Sequence, residues 1–134
     1  MTHPHNDIIK AAMRGKSELV QRAGLNYLIP TWARNAAAAD GEGNMDVWRN
    51  DLDGRKIIDE IFDLLSQEER LVVQKELELT DQLFASKTFE VNECVWGETN
   101  ERNNGYDRIK HWYYYRVNQR LFDAEGGYSR RLTN

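Results

Sequence analysis

The sequence predicts a mainly α fold, a compact bundle of about four to six helices in one domain spanning residues 1–134. Its 134 residues suit a single hydrophobic core, and its apolar side chains recur at three- and four-residue steps over long stretches. A serine-based helix start in the middle of the chain supports the same fold class. A short strand or hairpin is the alternative kept open near the C-terminal aromatic segment. We expect the ends to be mobile, over about residues 1–6 and 127–134.

The first 39 residues carry the apolar periodicity of helices. The repeating side chains are Ile8, Ile9, Ala12, Met13, Leu19, Val20, Ala23, Tyr27 and Leu28. Gly15 separates a short first helix from a second, because glycine inside a helix costs up to about 1 kcal/mol against alanine, and Ser17 can cap the second. Pro30 lacks a backbone N–H and disfavours helical angles at Ile29. We therefore expect a kink or a break there, before the pattern resumes at Trp32.

An amphipathic helix is predicted from Arg55 onward. Its apolar face consists of Ile57, Ile58, Ile61, Leu64 and Leu65. Ser66 and Glu69 then match a capping box, in which each side chain accepts a hydrogen bond from the backbone amide of the other residue. A further helix therefore begins at Gln67, and its apolar spacing predicts that it reaches at least Ser86.

Two later segments fit more than one structure. Residues 88–96 are read as a continuation of the preceding helix, and the alternative is a strand in which Phe89 and Val91 alternate with polar neighbours. Residues 108–121 have helical spacing, yet the aromatic run "WYYY" within them also favours a strand. Both structures stay open for this second segment.

The stretch "NDLDGRKIIDE", which begins at Asn50, looks like part of a calcium loop. Four of its residues fall on EF-hand positions when the glycine is placed at the turn: Asp51, Asp53, Gly54 and Glu60. The first ligand position is then Arg49, a cation, and the isoleucines keep helical spacing through the supposed loop. The stretch is therefore interpreted as a helix start capped by Asp51 or Asp53, and no metal site is predicted.

Other chemically useful side chains form no complete motif. Cys94 and His111 could act as a thiol and its base, but a small apolar role is the expected one for this cysteine. His3 and His5 would need further ligands to hold a metal, and a frayed terminus is expected instead. The aromatic and basic segment 108–120 has the composition of a single-stranded nucleic-acid platform, although the acidity of the chain argues against phosphate binding. We predict no catalytic residue and no cofactor.

Charge is distributed unevenly along the chain, whose net charge is -4. Residues 1–39 carry five basic and two acidic side chains, a net +3, and residues 101–134 carry seven and four, again +3. The middle, residues 40–100, carries six basic and sixteen acidic side chains, a net -10, which can attract a basic partner. The single cysteine, Cys94, and the lack of a long apolar run or a signal-like start predict a protein of the cytoplasm.

Four short blocks carry a resemblance to other sequences. They are "LNYLIPTW" (25–32), "NDLDGR" (50–55), "CVWG" (94–97) and "HWYYYR" (111–116), and together they span about two-thirds of the chain. As a set they resemble small uncharacterised bacterial proteins. Small acidic bacterial proteins of this size are often immunity proteins or antitoxin-like inhibitors, so the resemblance implies that class of function and no role for a particular residue.

The leading hypothesis is a non-enzymatic protein-binding module, an immunity-type inhibitor that meets a basic toxin or effector through an acidic face. The predicted contacts are Asp46, Trp48, Asp51, Asp53, Asp59, Glu60 and Asp63, with the tryptophan as aromatic anchor. A second hypothesis is a small enzyme whose cleft combines carboxylates, His111 and tyrosines, which requires a concave pocket and a shifted pKa. A third is an oligomeric scaffold, which requires a large apolar surface patch.

Overall fold

Seven α-helices and a two-stranded antiparallel sheet make up most of the computed structural model, which describes residues 2–124. The elements are α1 (Asp7–Ala12), α2 (Glu18–Ala23), α3 (Leu25–Ala37), α4 (Met45–Phe62), α5 (Gln67–Ser86), β1 (Phe89–Glu90), α6 (Glu98–Asn104), a 3-10 helix (Trp112–Tyr115), β2 (Arg116–Val117) and α7 (Gln119–Ala124). The predicted mainly α fold is confirmed, including a short sheet near the C-terminal aromatic segment. The C-terminal end expected to be mobile, residues 127–134, lies outside the described residues.

The N-terminal helices are separated by turns at two glycines. The predicted end of the first helix near Gly15 and the cap at Ser17 are confirmed, since the Ser17 side chain accepts a hydrogen bond from the amide of Val20. The next interruption lies at Gly24, where φ is +53°, and not at Pro30, which sits inside α3. The proline removes one backbone donor, but the helix runs on because residues on either side of it are buried in the core.

The N-terminal segment before α1 packs against the helices that follow. The backbone amide of His3 donates to Asn26 Oδ1 at 2.6 Å, and its buried ring lies 3.1 Å from the carboxylate of Glu76. The ring of His5 lies against Gly24, where an added Cβ would be only 2.5 Å from His5 Nδ1. Glycine at this position is therefore required both by the backbone angle and by the close approach of the histidine ring.

Helix α4 begins ten residues earlier than Arg55, where the apolar pattern becomes clear. Asn44 is its N-cap, because the Asn44 side chain accepts from the amide of Val47 at 3.0 Å. The prediction that Asp51 or Asp53 caps this helix is therefore wrong, since both lie well inside it. Residues 49–60 are helical throughout and do not form a loop.

The capping box at the start of α5 is confirmed. The helix ends at Ser86, the residue that it was predicted to reach at least. The predicted helical continuation through residues 88–96 is wrong, because Phe89 pairs with Val117 in the sheet. The backbone amide of Val91 donates to the carbonyl of Tyr115, and that of Val95 donates to the carbonyl of Tyr114. These two hydrogen bonds extend the pairing beyond the sheet. These long-range partners outcompete the local helical preference.

Residues 108–121 adopt neither of the two uniform structures considered for them. The chain forms a turn, the 3-10 helix, the two residues of β2 and then α7. Arg116 fixes the strand by donating from Nε to Thr88 Oγ1 at 2.8 Å and from Nη2 to two carbonyls at the end of α5. A single periodicity could not describe a segment that changes structure three times.

The core lies where α3 packs against both α4 and α5. Four aromatic rings meet in it, with centroid separations of 4.9 to 5.9 Å: Trp32, Trp48, Phe84 and Trp112. The 3-10 helix places three consecutive buried tyrosines against α4. Among the helices described, each is too short or too polar to cross a membrane.

Candidate functional site

A buried arginine links the three central helices. Arg55 of α4 is only 6% exposed and donates to both oxygens of Asp81 on α5, at 3.0 and 2.8 Å, and to Asp59 at 2.6 Å. Trp32 of α3 donates its indole N–H to the same Asp81 at 2.9 Å. Burial by itself lowers the pKa of Arg55, but the two carboxylates outweigh burial and raise it, so the guanidinium stays charged.

The three consecutive tyrosines each donate a hydroxyl to a different carboxylate. The pairs are Tyr113 with Asp59 at 2.8 Å, Tyr114 with Asp53 at 2.6 Å, and Tyr115 with Glu101. Burial and the adjacent carboxylates raise the pKa of all three phenols, which stay protonated and act as donors at neutral pH. Asp53 also accepts from the indole of Trp96 at 3.1 Å. These carboxylates are therefore engaged within the protein.

Three of the predicted contact residues consequently have internal partners. Asp53 and Asp59 accept hydrogen bonds from the tyrosines, and Trp48 donates its indole N–H to the carbonyl of Arg116 at 3.0 Å. The Trp48 ring also packs against Phe84, with centroids 5.6 Å apart. None of the three forms a free surface contact in this conformation.

The other four predicted contact residues lie in two kinds of place. Asp46 and Asp63 are exposed, but they stand at opposite ends of α4, about 26 Å apart at 1.5 Å per residue. Asp51 and Glu60 line a pocket between α3 and α4. The structure thus brings Asp51, Asp53 and Glu60 to one cavity and does not gather the seven residues into one face.

This cavity, the α3–α4 pocket, has a volume of about 460 Å³. Its polar and aromatic lining includes Lys16, Tyr27, Thr31, Asn35, Asn50, Asp51, Asp53, Lys56, Glu60, Tyr106 and Tyr114. Glu60 lies between two lysines, 3.6 Å from Lys16 and 3.8 Å from Lys56. Burial raises the pKa of Asp51, and among the described residues its carboxylate has no hydrogen-bond donor and no cation.

A second concave surface, the α5 groove, lies between α4, α5 and the 3-10 helix and encloses about 720 Å³. It is lined by Arg55, Asp59, Phe62, Gln74, Leu77, Glu78, Asp81, Gln82, Ala85 and Trp112. Gln74, Glu78 and Gln82 follow one another at four-residue steps along α5, so they share one side of the helix. Within residues 2–124 these three side chains have no hydrogen-bond or ion-pair partner.

Trp112 differs from the other three tryptophans. The indole N–H groups of Trp32, Trp48 and Trp96 each donate to an oxygen inside the protein. The indole N–H of Trp112 has no acceptor among the described residues, although its ring packs against Phe84 with centroids 5.9 Å apart. A half-buried indole with a free donor is thus available at the α5 groove.

The remaining candidate groups are also accounted for. Cys94 is buried, which raises the pKa of its thiol, and no hydrogen bond joins it to His111 in the described part of the chain. His111 Nδ1 accepts from the amide of Asp107 at 3.1 Å, and burial lowers the pKa of His111. His3 pairs with Glu76 as described above, and over residues 2–124 no cluster of three potential metal ligands occurs.

The aromatic and basic segment 108–120 uses its charges and rings internally. Arg108 lies over the ring of Tyr115 at 4.4 Å and donates to the carbonyls of Val91 and Asn92. The tyrosines of the segment are buried. It therefore presents no open row of stacked rings of the kind that binds single-stranded nucleic acid.

Sequence reasoning did not identify the α5 groove. The four-residue spacing of Gln74, Glu78 and Gln82 was a visible signal, but polar residues on the outer side of a helix are ordinary. Nothing local distinguishes Trp112 from the other tryptophans, because the difference lies in which acceptors the fold brings near. A comparison with models of known families, with curated proteins and with solved structures found no match to this chain.

Proposed function

We propose that the chain is a non-enzymatic protein-binding module that inhibits a basic toxin or effector, as immunity proteins do. The observation that carries this proposal is the free indole N–H of Trp112 in an acidic groove, while the other three indoles are satisfied internally. Tryptophan is enriched among the residues that dominate protein interfaces, because it offers a large apolar ring and one directed donor.

The charges of the α5 groove favour a basic partner. It contains one cation and three carboxylates: Arg55, Asp59, Glu78 and Asp81. The arginine is already held by two of these carboxylates, which leaves Glu78 exposed and unpaired among the described residues. An arginine of the partner would stack on Trp112 and pair with Glu78, two interactions that suit a planar guanidinium. Because a guanidinium accepts no hydrogen bond, the indole N–H of Trp112 would donate to a carbonyl oxygen of the partner beside that arginine.

Exposed apolar side chains on α5 supply a further reason. Leu71, which is 62% exposed, lies seven residues before Glu78 and so shares its side of the helix. Leu79, 73% exposed, is the next residue along the chain from Glu78. Exposed leucines next to carboxylates on one helix suit an interface in which apolar contact adds to charge attraction. Asp46 and Asp63, exposed at the ends of α4, contribute to the attraction over longer distance.

The test begins with a pull-down by the tagged full chain from its native cell and identification of the bound protein. The affinity of the purified pair is then measured for the wild type, Trp112→Phe, Glu78→Gln and the control Glu93→Gln. We expect about fivefold weaker binding for Trp112→Phe, which loses one hydrogen bond, and about tenfold or more for Glu78→Gln, which loses a charge-assisted one. Glu93 is exposed and outside the groove, so Glu93→Gln should bind as the wild type does.

These measurements also decide whether the partner binds at the α5 groove or at the exposed carboxylates of Asp46 and Asp63. If Trp112→Phe and Glu78→Gln bind normally while Asp46→Asn or Asp63→Asn weakens binding, the groove is not the contact surface. If the captured partner is a second copy of the same chain, and light scattering shows a stable oligomer, the scaffold hypothesis replaces the inhibitor hypothesis. Increasing salt should weaken the complex, because charge attraction between exposed groups is screened.

A small enzyme is the second candidate function, favoured by one observation. The raised pKa of Asp51 in a pocket that also contains Tyr106 and Tyr114 suits a general acid or base. His111, the third group of that hypothesis, does not line this pocket. Hydrolysis of model esters, amides and phosphoesters by the wild type but not by Asp51→Asn would support the enzyme, and equal rates for both proteins would contradict it.

A further inference from the structure

The α3–α4 pocket contains a carboxylate whose charge no neighbour neutralises. Asp51 is half-buried, and the groups that usually compensate such burial, a cation or a hydrogen-bond donor, are missing around it within residues 2–124. Glu60 is already paired, because Lys16 Nζ lies 3.6 Å from its Oε1 atom and Lys56 Nζ lies 3.8 Å from its Oε2 atom. That Oε2 atom is nevertheless buried and accepts no hydrogen bond from a described residue. Buried polar atoms without partners are uncommon in folded proteins and call for an explanation.

Gly54 provides an independent observation at the same place. It lies in the middle of the 18-residue helix α4, where glycine costs about 1 kcal/mol relative to alanine. A Cβ at this position would meet only Leu28 Cδ2 at 3.9 Å, an ordinary van der Waals contact, so packing does not require glycine. Because Gly54 has no side chain, the pocket stays open at this position.

The charges and rings of the pocket indicate the class of ligand. Its two lysines and three carboxylates, including Asp51, give a net charge of -1, which disfavours phosphates and other anions. Tyrosine rings line the wall, and Lys56 already lies over the Tyr106 ring at 5.9 Å from its centroid. Aromatic faces next to a free carboxylate suit an organic cation, whose alkyl part contacts the rings while its charge meets the carboxylate.

We propose that the α3–α4 pocket binds a small organic cation, an alkyl ammonium or alkyl guanidinium compound, with Asp51 as its counter-ion and Gly54 providing the space. This site is separate from the partner-binding function, because the pocket and the α5 groove share no lining residue. Its volume of about 460 Å³ lies within the usual range for small-molecule sites. The side chains of Asn35 and Asn50 are available to bind polar groups on the same molecule.

The test uses n-butylguanidine as the probe and the full chain labelled with ¹⁵N for NMR titration. We expect saturable shifts centred on residues 51 and 54, with a Kd of about 1 mM or tighter. n-Butanol and butyrate, which lack the positive charge, should bind at least about tenfold more weakly, since a charge-assisted hydrogen bond is worth that factor.

Two variants test the assigned roles. Asp51→Asn keeps the shape of the side chain and should weaken butylguanidine binding about tenfold or more, while Gly54→Leu keeps the carboxylate and should abolish binding by filling the pocket. Asp7→Asn makes the same chemical change at an exposed position that lines neither cavity and should leave the Kd unchanged. The proposal is overturned if the wild type shows no saturable shifts at about 10 mM probe. It is also overturned if either folded variant binds as tightly as the wild type.

Discussion

Replacing Asp81 measures how much the buried arginine network contributes to stability. Its carboxylate accepts three hydrogen bonds, two from Arg55 and one from Trp32. Asp81→Ala removes all three and leaves the guanidinium of Arg55 with Asp59 as its only acidic partner among residues 2–124. Breaking a buried ion pair on one side costs about 3–5 kcal/mol, and we expect the lower part of this range because the Asp81 side chain is 19% exposed.

Asp81→Asn makes a smaller change to the same network. The amide oxygen can still accept from Trp32 and from Arg55 Nε, which both bind Asp81 Oδ1, while the bond from Arg55 Nη2 to Oδ2 is lost. The loss of one charge-assisted hydrogen bond corresponds to about 1.5–3 kcal/mol. The two substitutions should therefore destabilise the fold in the order Ala more than Asn.

Urea unfolding followed by tryptophan fluorescence and circular dichroism gives the free energies of unfolding. Asp63→Asn is the matched control, because Asp63 is exposed and ends α4, so its neutralisation should change stability by less than about 0.5 kcal/mol. If Asp81→Ala lies within about 1 kcal/mol of this control, with an unchanged dependence on urea, the network does not carry the stability assigned to it.

Three further predictions follow from other parts of the fold. Gly24→Ala should destabilise the protein by about 1–3 kcal/mol, because it strains a backbone with φ of +53° and places Cβ against His5, and a thermal shift within error of the wild type would contradict this. Ser66→Ala removes the side-chain half of the capping box of α5 and should cost about 1 kcal/mol in urea unfolding, whereas Ser66→Thr should retain most of it. Burial lowers the pKa of His111, so the unfolded chain binds its proton more tightly and stability should fall as the pH drops through about 6.5. His111→Asn keeps an acceptor for the amide of Asp107 and should lose this part of the pH dependence; parallel stability curves for the two proteins between pH 7.5 and 5.5 would refute the assignment.

Local signals in the sequence predicted the helices where the residues that decide the structure are close together in the chain. The capping box and apolar face of α5 lie within one 20-residue helix, and both are observed. The predicted start of α4 is ten residues too late. Its local signal is the single capping side chain of Asn44, and the first half of the helix after this cap is too polar to show a clear apolar pattern. The helix predicted over residues 88–96 is wrong because Phe89 and Glu90 form a strand whose partners, Val117 and Arg116, lie far along the chain.

The proposed site depended even more on distant contacts. The sequence determined that the chain is mainly helical, that it has one acidic middle segment, and that Asp59 falls within a helix, although it predicted Asp51 or Asp53 as the cap of that helix and not as part of it. It did not determine which of those carboxylates face water, because their partners, Tyr114 and Tyr113, are 61 and 54 residues away. Tertiary structure alone decided that Asp53 and Asp59 are bound internally while Asp51, on the same helix, has no such donor in the part of the chain that the structure describes. The reason is that a helix sets the direction of each side chain, whereas its hydrogen-bond partners are supplied by whichever segment the rest of the chain packs against it.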